Sequence, residues 1–430
     1  MVHQTINTSM PPASKASSKI SHMFFLPSST PTVICLRRVG LTAGQFMARW
    51  MLPVLLSACA SKLPPLPTSP QTTPAAKTTP APMTAPTTVP TVTATTPEAV
   101  PLTDRRSQRV PVPWSDLPGW DNESMPQVWA VLLSNCERPG PLMAAVCPDV
   151  RRLTLATDTE QKQWLMQRLQ PHRIENGQGE SSGLLTGYFE PVLEARRVPS
   201  SGFSIPLYQP PAGLKSGQPW FTRQEIDTLA SAQAALHGRE IAWISDPVDA
   251  MVLHIQGSGR LRITEGDGRV RVVRVGFAAS NEQPYQSIGR WLLDKNEIKD
   301  ASWPGIKAWI QRNPPKAQAL LWVNPRYVFF KEEAITDASI GPRGAQGLPL
   351  TPGRSIAVDP QSVEYGTPVW MVSPGPTQAL QRLVVAQDTG SAIVGAVRAD
   401  LYMGTGAAAG ELAGRMKQPL RLWALLPRVQ

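Results

Sequence analysis

A mainly β fold with short helices, arranged as barrels, is the class this sequence predicts. Three observations carry that reading. Short runs of alternating or β-branched residues recur along the chain, Gly and Pro punctuate them, and helical patterns are few and brief. The chain has 430 residues, 42% of them hydrophobic and 45 of them Pro. That length is a soft prior for two or three domains, with ample apolar material for a core. Only five His and four Cys occur. Neither a C-x-x-C nor an H-E-x-x-H spacing is present, which speaks against a zinc enzyme and a disulfide-scaffold toxin.

The N-terminal region is not part of that body. Arg37, Arg38 and Arg49 precede an apolar run over residues 50–56 that ends Leu56-Ser57-Ala58-Cys59. A basic flank, a short apolar stretch and small residues describe an export signal, too short to span a bilayer. The ending resembles a bacterial lipoprotein signal, in which Cys59 becomes the lipidated first residue; the bland alternative is a chance Cys in an apolar segment. Residue 60 is Ala rather than Asp, which in such lipoproteins implies the periplasmic face of the outer membrane of a Gram-negative bacterium. Residues 1–58 are therefore expected to be a signal and pre-region, with translation starting as late as Met47. Residues 59–102 follow as a Pro/Thr-rich linker without bulky side chains, unable to offset chain entropy by burial. Roughly forty such residues reach on the order of 100 Å, a spacer between lipid and body.

Charge adds little to the functional reading. The formal excess is +10, from 42 Lys+Arg against 32 Asp+Glu. Residues 1–58 hold five basic and no acidic residues, which leaves 37 basic against 32 acidic beyond them. The excess is scattered, densest at Arg196–Arg197 and at Arg269, Arg271 and Arg274. Solvated surface or a face for an anionic polymer would each explain it, and no nucleic-acid partner is implied.

In the body, residues 126–134 predict a helix with Val128, Val131 and Leu132 on one side. Cys136 and Cys147 follow; in an oxidising compartment they suit a local disulfide, and otherwise two buried thiols. Thr157-x-x-Glu160 is a capping box for a helix running to about Gln170, and Thr222-x-x-Glu225 opens another to Leu236. Short helices are expected over 285–293 and 303–312. Strands are expected over 184–189, 251–256, 260–264 and 269–275, the last two joined as a hairpin through Glu265-Gly266-Asp267-Gly268. The C-terminal third predicts strands at 355–359, 368–372, 383–387 and 420–425.

Three chemistries can be weighed by inspection. Gly404-Thr405-Gly406 through Gly410 is one residue too long for a dinucleotide fingerprint and lacks a surrounding βαβ series, so close helix–sheet packing explains its glycines better. Gln256-Gly257-Ser258-Gly259 lacks the first Gly of a nucleophile elbow, and His254, in a predicted strand, reads as core. Carboxylates remain: Asp359 in Ala-Val-Asp-Pro, Asp388 in Ala-Gln-Asp-Thr-Gly, and Asp400 in Arg-Ala-Asp-Leu-Tyr. Burial or clustering would raise such a carboxyl pKa toward that of a general acid, while the bland reading is turn capping.

A resemblance then sharpens the choice. Leu185-Thr186-Gly187-Tyr188-Phe189-Glu190-Pro191, Ser245-Asp246-Pro247-Val248-Asp249-Ala250, His254-Ile255-Gln256-Gly257-Ser258-Gly259-Arg260, Gly276-Phe277, Pro284-Tyr285-Gln286-Ser287-Ile288-Gly289 and Asn324-Pro325-Arg326-Tyr327-Val328-Phe329-Phe330 resemble the membrane-bound lytic murein transglycosylase A family. Gly347-Leu348-Pro349-Leu350-Thr351-Pro352-Gly353-Arg354-Ser355 and the three Asp motifs resemble the domain named for three aspartates. The motifs run in family order from about residue 110 to Leu426. One departure stands out: Ser391 replaces a Gly, and the spacing from Asp388 to Asp400 is one residue longer than usual.

The resemblance implies a double-psi β-barrel domain from residues 103–195 and 324–430, an inserted second small β-barrel domain from 196–323, and a groove between them. It implies an outer-membrane lipoprotein acting on peptidoglycan glycan strands without metal or cofactor. By match to the family motif, Asp400 is the acid/base and Asp388 its catalytic companion, with Asp359 structural. Thr186, Gly187, Tyr188, Gln256 and Tyr285 suit a glycan by residue type, since sugars stack on aromatic faces and are oriented by amides and hydroxyls. Core packing is the competing reading for the two tyrosines. A non-catalytic peptidoglycan binder and a hydrolytic muramidase remain as rival functions.

Overall fold

The computed structural model describes residues 106–428 apart from residue 377. The export segment, Cys59 and the linker lie outside the described residues. Fourteen strands are present among them: β1 Gln108–Pro111, β2 Leu169–Glu175, β3 Gly183–Glu190, β4 Val192–Arg196, β5 Ile205–Tyr208, β6 Glu240–Ile244, β7 Ser258–Thr264, β8 Val270–Ser280, β9 Val328–Ala334, β10 Ser355–Val358, β11 Pro368–Pro374, β12 Ala379–Asp388, β13 Arg398–Thr405 and β14 Lys417–Pro427. They form two sheets.

The first has the order β1-β2-β14-β11-β12-β10-β13-β3. The long strand β14 turns from β2 and β11 to pair also with β3, so this sheet comes back on itself in a barrel-like closure. Its interior is apolar, with Ile356, Val358, Val369, Val384, Leu401 and Leu422 buried together. A helical layer packs outside, around Trp120, Trp129, Trp164, Trp370 and Trp423. Cys136 and Cys147 are joined there by a disulfide. The second sheet, order β5-β6-β4-β7-β8-β9, is drawn entirely from the segment between β3 and β10 and buries its own core of Leu207, Leu261, Val273 and Phe330.

Several local signals operate as the residues dictate. Both Thr/Glu capping boxes close, starting helices Asp158–Arg168 and Arg223–Thr228. The first helix ends at Arg168 instead of Gln170, because Leu169 and Gln170 are already committed to β2. The second breaks at Leu229, whose backbone is extended (φ −88°, ψ 127°), and resumes as Ala230–Leu236. The hairpin β7–β8 forms, closed by Glu265 N–H donating to the Arg269 carbonyl at 2.8 Å.

One expectation fails outright. Residues 251–256 are not a strand but lie in helix Pro247–Gln256. Asp246 accepts from the Val248 N–H as N-cap, Pro247 occupies the first turn, and Gly257 closes the end at φ 76°. Those are helix start and stop signals. The helix is buried on nearly every side, Val248 and Ala250 through His254 included, so its apolar run has no period to separate it from a core strand.

Candidate active site

The site is built on one row of residues across four strands. Asp400 on β13 pairs with Ala357 on β10, and on its other side with Thr186 on β3. Ala357 in turn pairs with Asp388 on β12. In a pleated sheet such partners share a face, and two strand spacings separate the aspartate α-carbons by about 10 Å. The small Ala357 between them leaves the space above the row open. Tyr188, two residues beyond Thr186 and so on the same face, reaches across to donate its hydroxyl to Asp388 Oδ2 at 2.9 Å.

The two carboxyls are held differently. Asp388 also accepts the Ala345 backbone N–H at 2.9 Å. Donors at both oxygens suit an ionised, acceptor-only group, although burial pushes its pKa up. Asp400 accepts through Oδ1 alone, from the Thr186 hydroxyl at 2.6 Å. Thr186 Oγ1 itself accepts from Arg398 Nη2 at 2.9 Å, which directs the threonine proton toward Asp400. No hydrogen bond reaches Asp400 Oδ2 among the described residues. Burial raises Asp400 to about 6, opposed by the Thr186 bond and the Arg398 charge and assisted by the Asp388 charge. A carboxyl poised near neutrality, with one oxygen free, can both give and take a proton.

Asp400 lines a cavity of about 90 Å³ with His254, Tyr285, Asn324 and Arg326. A larger one of about 640 Å³ lies beside it, lined in part by Gln256, Phe277 and Asp388. The two share His254, Ile255, Arg326, Val328, Gly390 and Ser391, and so form one groove between the two sheets. Ser391, the residue that departs from the family pattern, stands in both linings.

The expected residues divide accordingly. Thr186 and Tyr188 meet the aspartates, and Gln256 and Tyr285 line the groove. Gln256 Oε1 also accepts the Phe189 N–H at 2.9 Å, bolting the helix end to β3. Gly187 faces the opposite side of β3, where an added Cβ would lie 2.9 Å from Ala413 Cα in helix Ala407–Arg415. Gly410 of that helix lies against the Phe189 ring, 2.7 Å from where its Cβ would be, as close helix–sheet packing requires. Asp359 is outside the row: it accepts from Gly395 N–H at 2.9 Å and Arg106 at 3.2 Å, anchoring the loop that leads into β13.

Two groove residues, Phe277 and Arg326, were not singled out by sequence reasoning, and a third, His254, was read as core. Phe277, 50% exposed, offers an aromatic surface to the larger cavity. His254 is 6% exposed and packs against Tyr327 and Phe330. Arg326 lines both cavities. Each sits in a motif quoted above, but nothing in its local pattern separates a groove side chain from a core one.

The walls of the groove are held by a buried charge cluster. Glu190, fully buried where the chain leaves β3 for the second sheet, meets Arg260 of β7 at 2.8 Å and Arg274 of β8. Thr405 of β13 donates to the same carboxylate at 2.7 Å. One side chain thus ties both sheets together beside the cavities.

Comparison with known proteins agrees with this geometry. Residues 184–331 match the model of the MltA specific insert domain, and residues 354–426 that of the 3D domain. A curated relative, membrane-bound lytic murein transglycosylase A of Vibrio cholerae, is 33% identical over 271 residues, spanning 60% of this chain and 69% of that protein. A lytic transglycosylase of Burkholderia pseudomallei is 42% identical in a structural match covering 75% of this chain and 96% of that one, with TM-score 0.51. MltA from Neisseria gonorrhoeae matches at 30% identity over 75% and 94%, with TM-score 0.62. MltA from Escherichia coli, solved with bound chitohexaose, matches at 26% identity over 75% and 95%, with TM-score 0.60. With the motifs, the barrel-like sheet and the carboxylate row in one groove, the chain belongs to the membrane-bound lytic murein transglycosylase A family.

Proposed function

We propose that this protein is a peptidoglycan lytic transglycosylase that cleaves the β-1,4 bond between N-acetylmuramic acid and N-acetylglucosamine and leaves 1,6-anhydromuramyl ends. The observation that carries the reading is Asp400: mostly buried, near pH 6 in its titration, and with one oxygen free at a groove. The chitohexaose bound by the Escherichia coli relative, a β-1,4 N-acetylglucosamine chain, supports a glycan as occupant.

A hydrolase would need a second carboxylate to activate water or to attack the sugar. Asp388 already has Tyr188 and Ala345 as hydrogen-bond donors, which suits an electrostatic companion better than a nucleophile. In a lytic transglycosylase the muramyl 6-hydroxyl attacks its own anomeric carbon, and intramolecularity contributes several kcal/mol. Asp400 first protonates the leaving oxygen, then takes the 6-hydroxyl proton as the anhydro ring closes. Burial sustains the raised pKa with a smaller push from the Asp388 charge, the Arg398–Thr186 pair orients the carboxyl, and Gln256 and Tyr285 contact the sugars, with Gly187 spacing β3 against its helix. No metal or cofactor enters the scheme.

The same reading extends to architecture and place. The parallel pairings β10–β12 and β13–β3 within an otherwise antiparallel barrel support a double-psi topology. The second sheet, drawn from one stretch between β3 and β10, supports an inserted domain, with bounds that reach past 196–323 to take in β4 and β9. A lipid at Cys59 and the Pro/Thr-rich spacer would hold the body at the outer membrane, where murein turnover and recycling require it; among the described residues no helix can cross a membrane. Clearing of purified sacculi tests the assignment. Asp400→Asn should abolish it, Asp388→Asn reduce it and Asp359→Asn leave it measurable; clearing by Asp400→Asn at the normal rate would reject the scheme.

A further inference from the structure

The larger cavity has a charge pattern that a neutral glycan does not require. Five cationic side chains line it: Arg138, Arg274, Arg326, Lys331 and Arg343. Arg274 is matched by Glu190 and Lys331 by Glu333 at 2.9 Å. Arg138, Arg326 and Arg343 have no carboxylate within ion-pair distance among the described residues, although Arg326 feels the charge of Glu282 from further off. Their contacts are to neutral groups: Arg326 donates to the Gln283 carbonyl at 3.3 Å, Arg343 to the Gly347 carbonyl at 3.0 Å, and Arg138 covers Gly347. The anionic side chains of the lining are Glu333, already matched to Lys331, and Asp388, already bonded to Tyr188 and Ala345. Three guanidinium forks therefore face one concave space, the geometry in which carboxylates are bound bidentately.

A second observation points the same way. His254 stands in the linings of both cavities, and its Nδ1 is 2.9 Å from Arg223 Nη2. Arginine only donates, so Nδ1 accepts and the ring proton resides on Nε2. That Nε2–H is buried and has no partner among the described residues. A buried donor without a partner is unusual, and an incoming acceptor oxygen would satisfy it.

Building on the function proposed above, we infer that the larger cavity is a carboxylate subsite for the 3-O-lactyl arm of the muramyl sugar, taking the carboxylates of the peptide stem or, where no stem is attached, the lactyl carboxylate itself. The muramyl residue cleaved at Asp400 would project that substituent into the space framed by Arg138, Arg326 and Arg343, past the His254 N–H.

Binding to the non-cleaving Asp400→Asn protein tests this, with three probes: stem-bearing glycan strands, amidase-stripped strands in which hydrolysis of the amide frees the lactyl carboxylate, and uncharged chitohexaose. At low salt the charged probes should bind at least about tenfold tighter than chitohexaose, an advantage that shrinks as salt screens the guanidiniums. Arg138→Gln/Arg343→Gln in that background should erase most of the advantage and leave chitohexaose binding and melting temperature unchanged. Preference shown by stripped strands assigns the freed lactyl carboxylate as a ligand; preference shown only by stem-bearing strands assigns the carboxylates of the peptide. Equal affinity for charged and neutral probes, or equal loss on all three in the double variant, overturns the subsite. Because binding is read without cleavage, its failure is separable from failure of the wild-type protein to cleave any strand.

Discussion

Replacing Asp400 with Asn should stabilise the folded protein at alkaline pH while removing its chemistry. Asp400 is raised from 3.8 to about 6 in the folded state, chiefly by burial. A raised carboxyl pKa means the group's contribution is fully present below pH 3.8 and is lost as pH climbs through 6. At pH 8 the ionised, desolvated carboxylate therefore weakens the fold by up to about 3 kcal/mol relative to its protonated form. Asparagine cannot ionise, is nearly isosteric, and still accepts the Thr186 hydroxyl through its amide oxygen. At about 2.1 cal/mol/K per residue, a body of roughly 320 residues has an unfolding entropy near 0.7 kcal/mol/K, so 3 kcal/mol corresponds to about 4 °C. Melting followed by circular dichroism should place Asp400→Asn about 4 °C above wild type at pH 8 and level with it near pH 4. Sacculus clearing in the same samples should fall by about 10²–10⁴-fold. A variant less stable than wild type at pH 8 would refute the reasoning, because the ionised carboxylate would then be a structural asset.

Three further outcomes are expected. Asp388→Asn removes a charge that helps keep Asp400 protonated, so the alkaline limb of the pH–rate profile should move to lower pH; an unmoved limb would uncouple the pair. Glu190→Gln leaves Arg260 and Arg274 without their buried carboxylate and should destabilise by about 3–5 kcal/mol, read as a lower melting temperature. Reducing or replacing the Cys136–Cys147 bond frees a short loop of unfolded chain and should lower stability by about 3 kcal/mol.

What was legible in the sequence follows the range of the interactions involved. Capping boxes at Thr157 and Thr222 act within three residues, and both were readable as helix starts. The β7–β8 hairpin and the strand cores of β10, β11 and β14 rest on local pattern and were readable too. Strands β1, β2, β4, β5, β6, β9 and β13 were not: each is short or polar on one face and is held by partners far along the chain. The helix carrying His254 was misread because full burial removes periodicity, although Asp246-Pro247 marked its start. Asp400 stood out by inspection only as one of three carboxylates, and its acid/base role was reached by family motif alone. Its place beside Thr186 depends on pairing β13 with β3, some 214 residues apart, and no local signal encodes that. The unmatched guanidiniums of Arg138, Arg326 and Arg343 were invisible for the same reason, since the overall charge excess is modest and scattered.

The measurement that bears most directly on the central claim is mass spectrometry of the sugar ends released from purified sacculi. The wild-type protein should release 1,6-anhydromuramyl ends, and Asp400→Asn none of them at equal protein and time. Reducing muramyl ends, heavier than the anhydro ends by one water and open to borohydride, would mean that water rather than the 6-hydroxyl attacks, and would contradict the single-aspartate scheme.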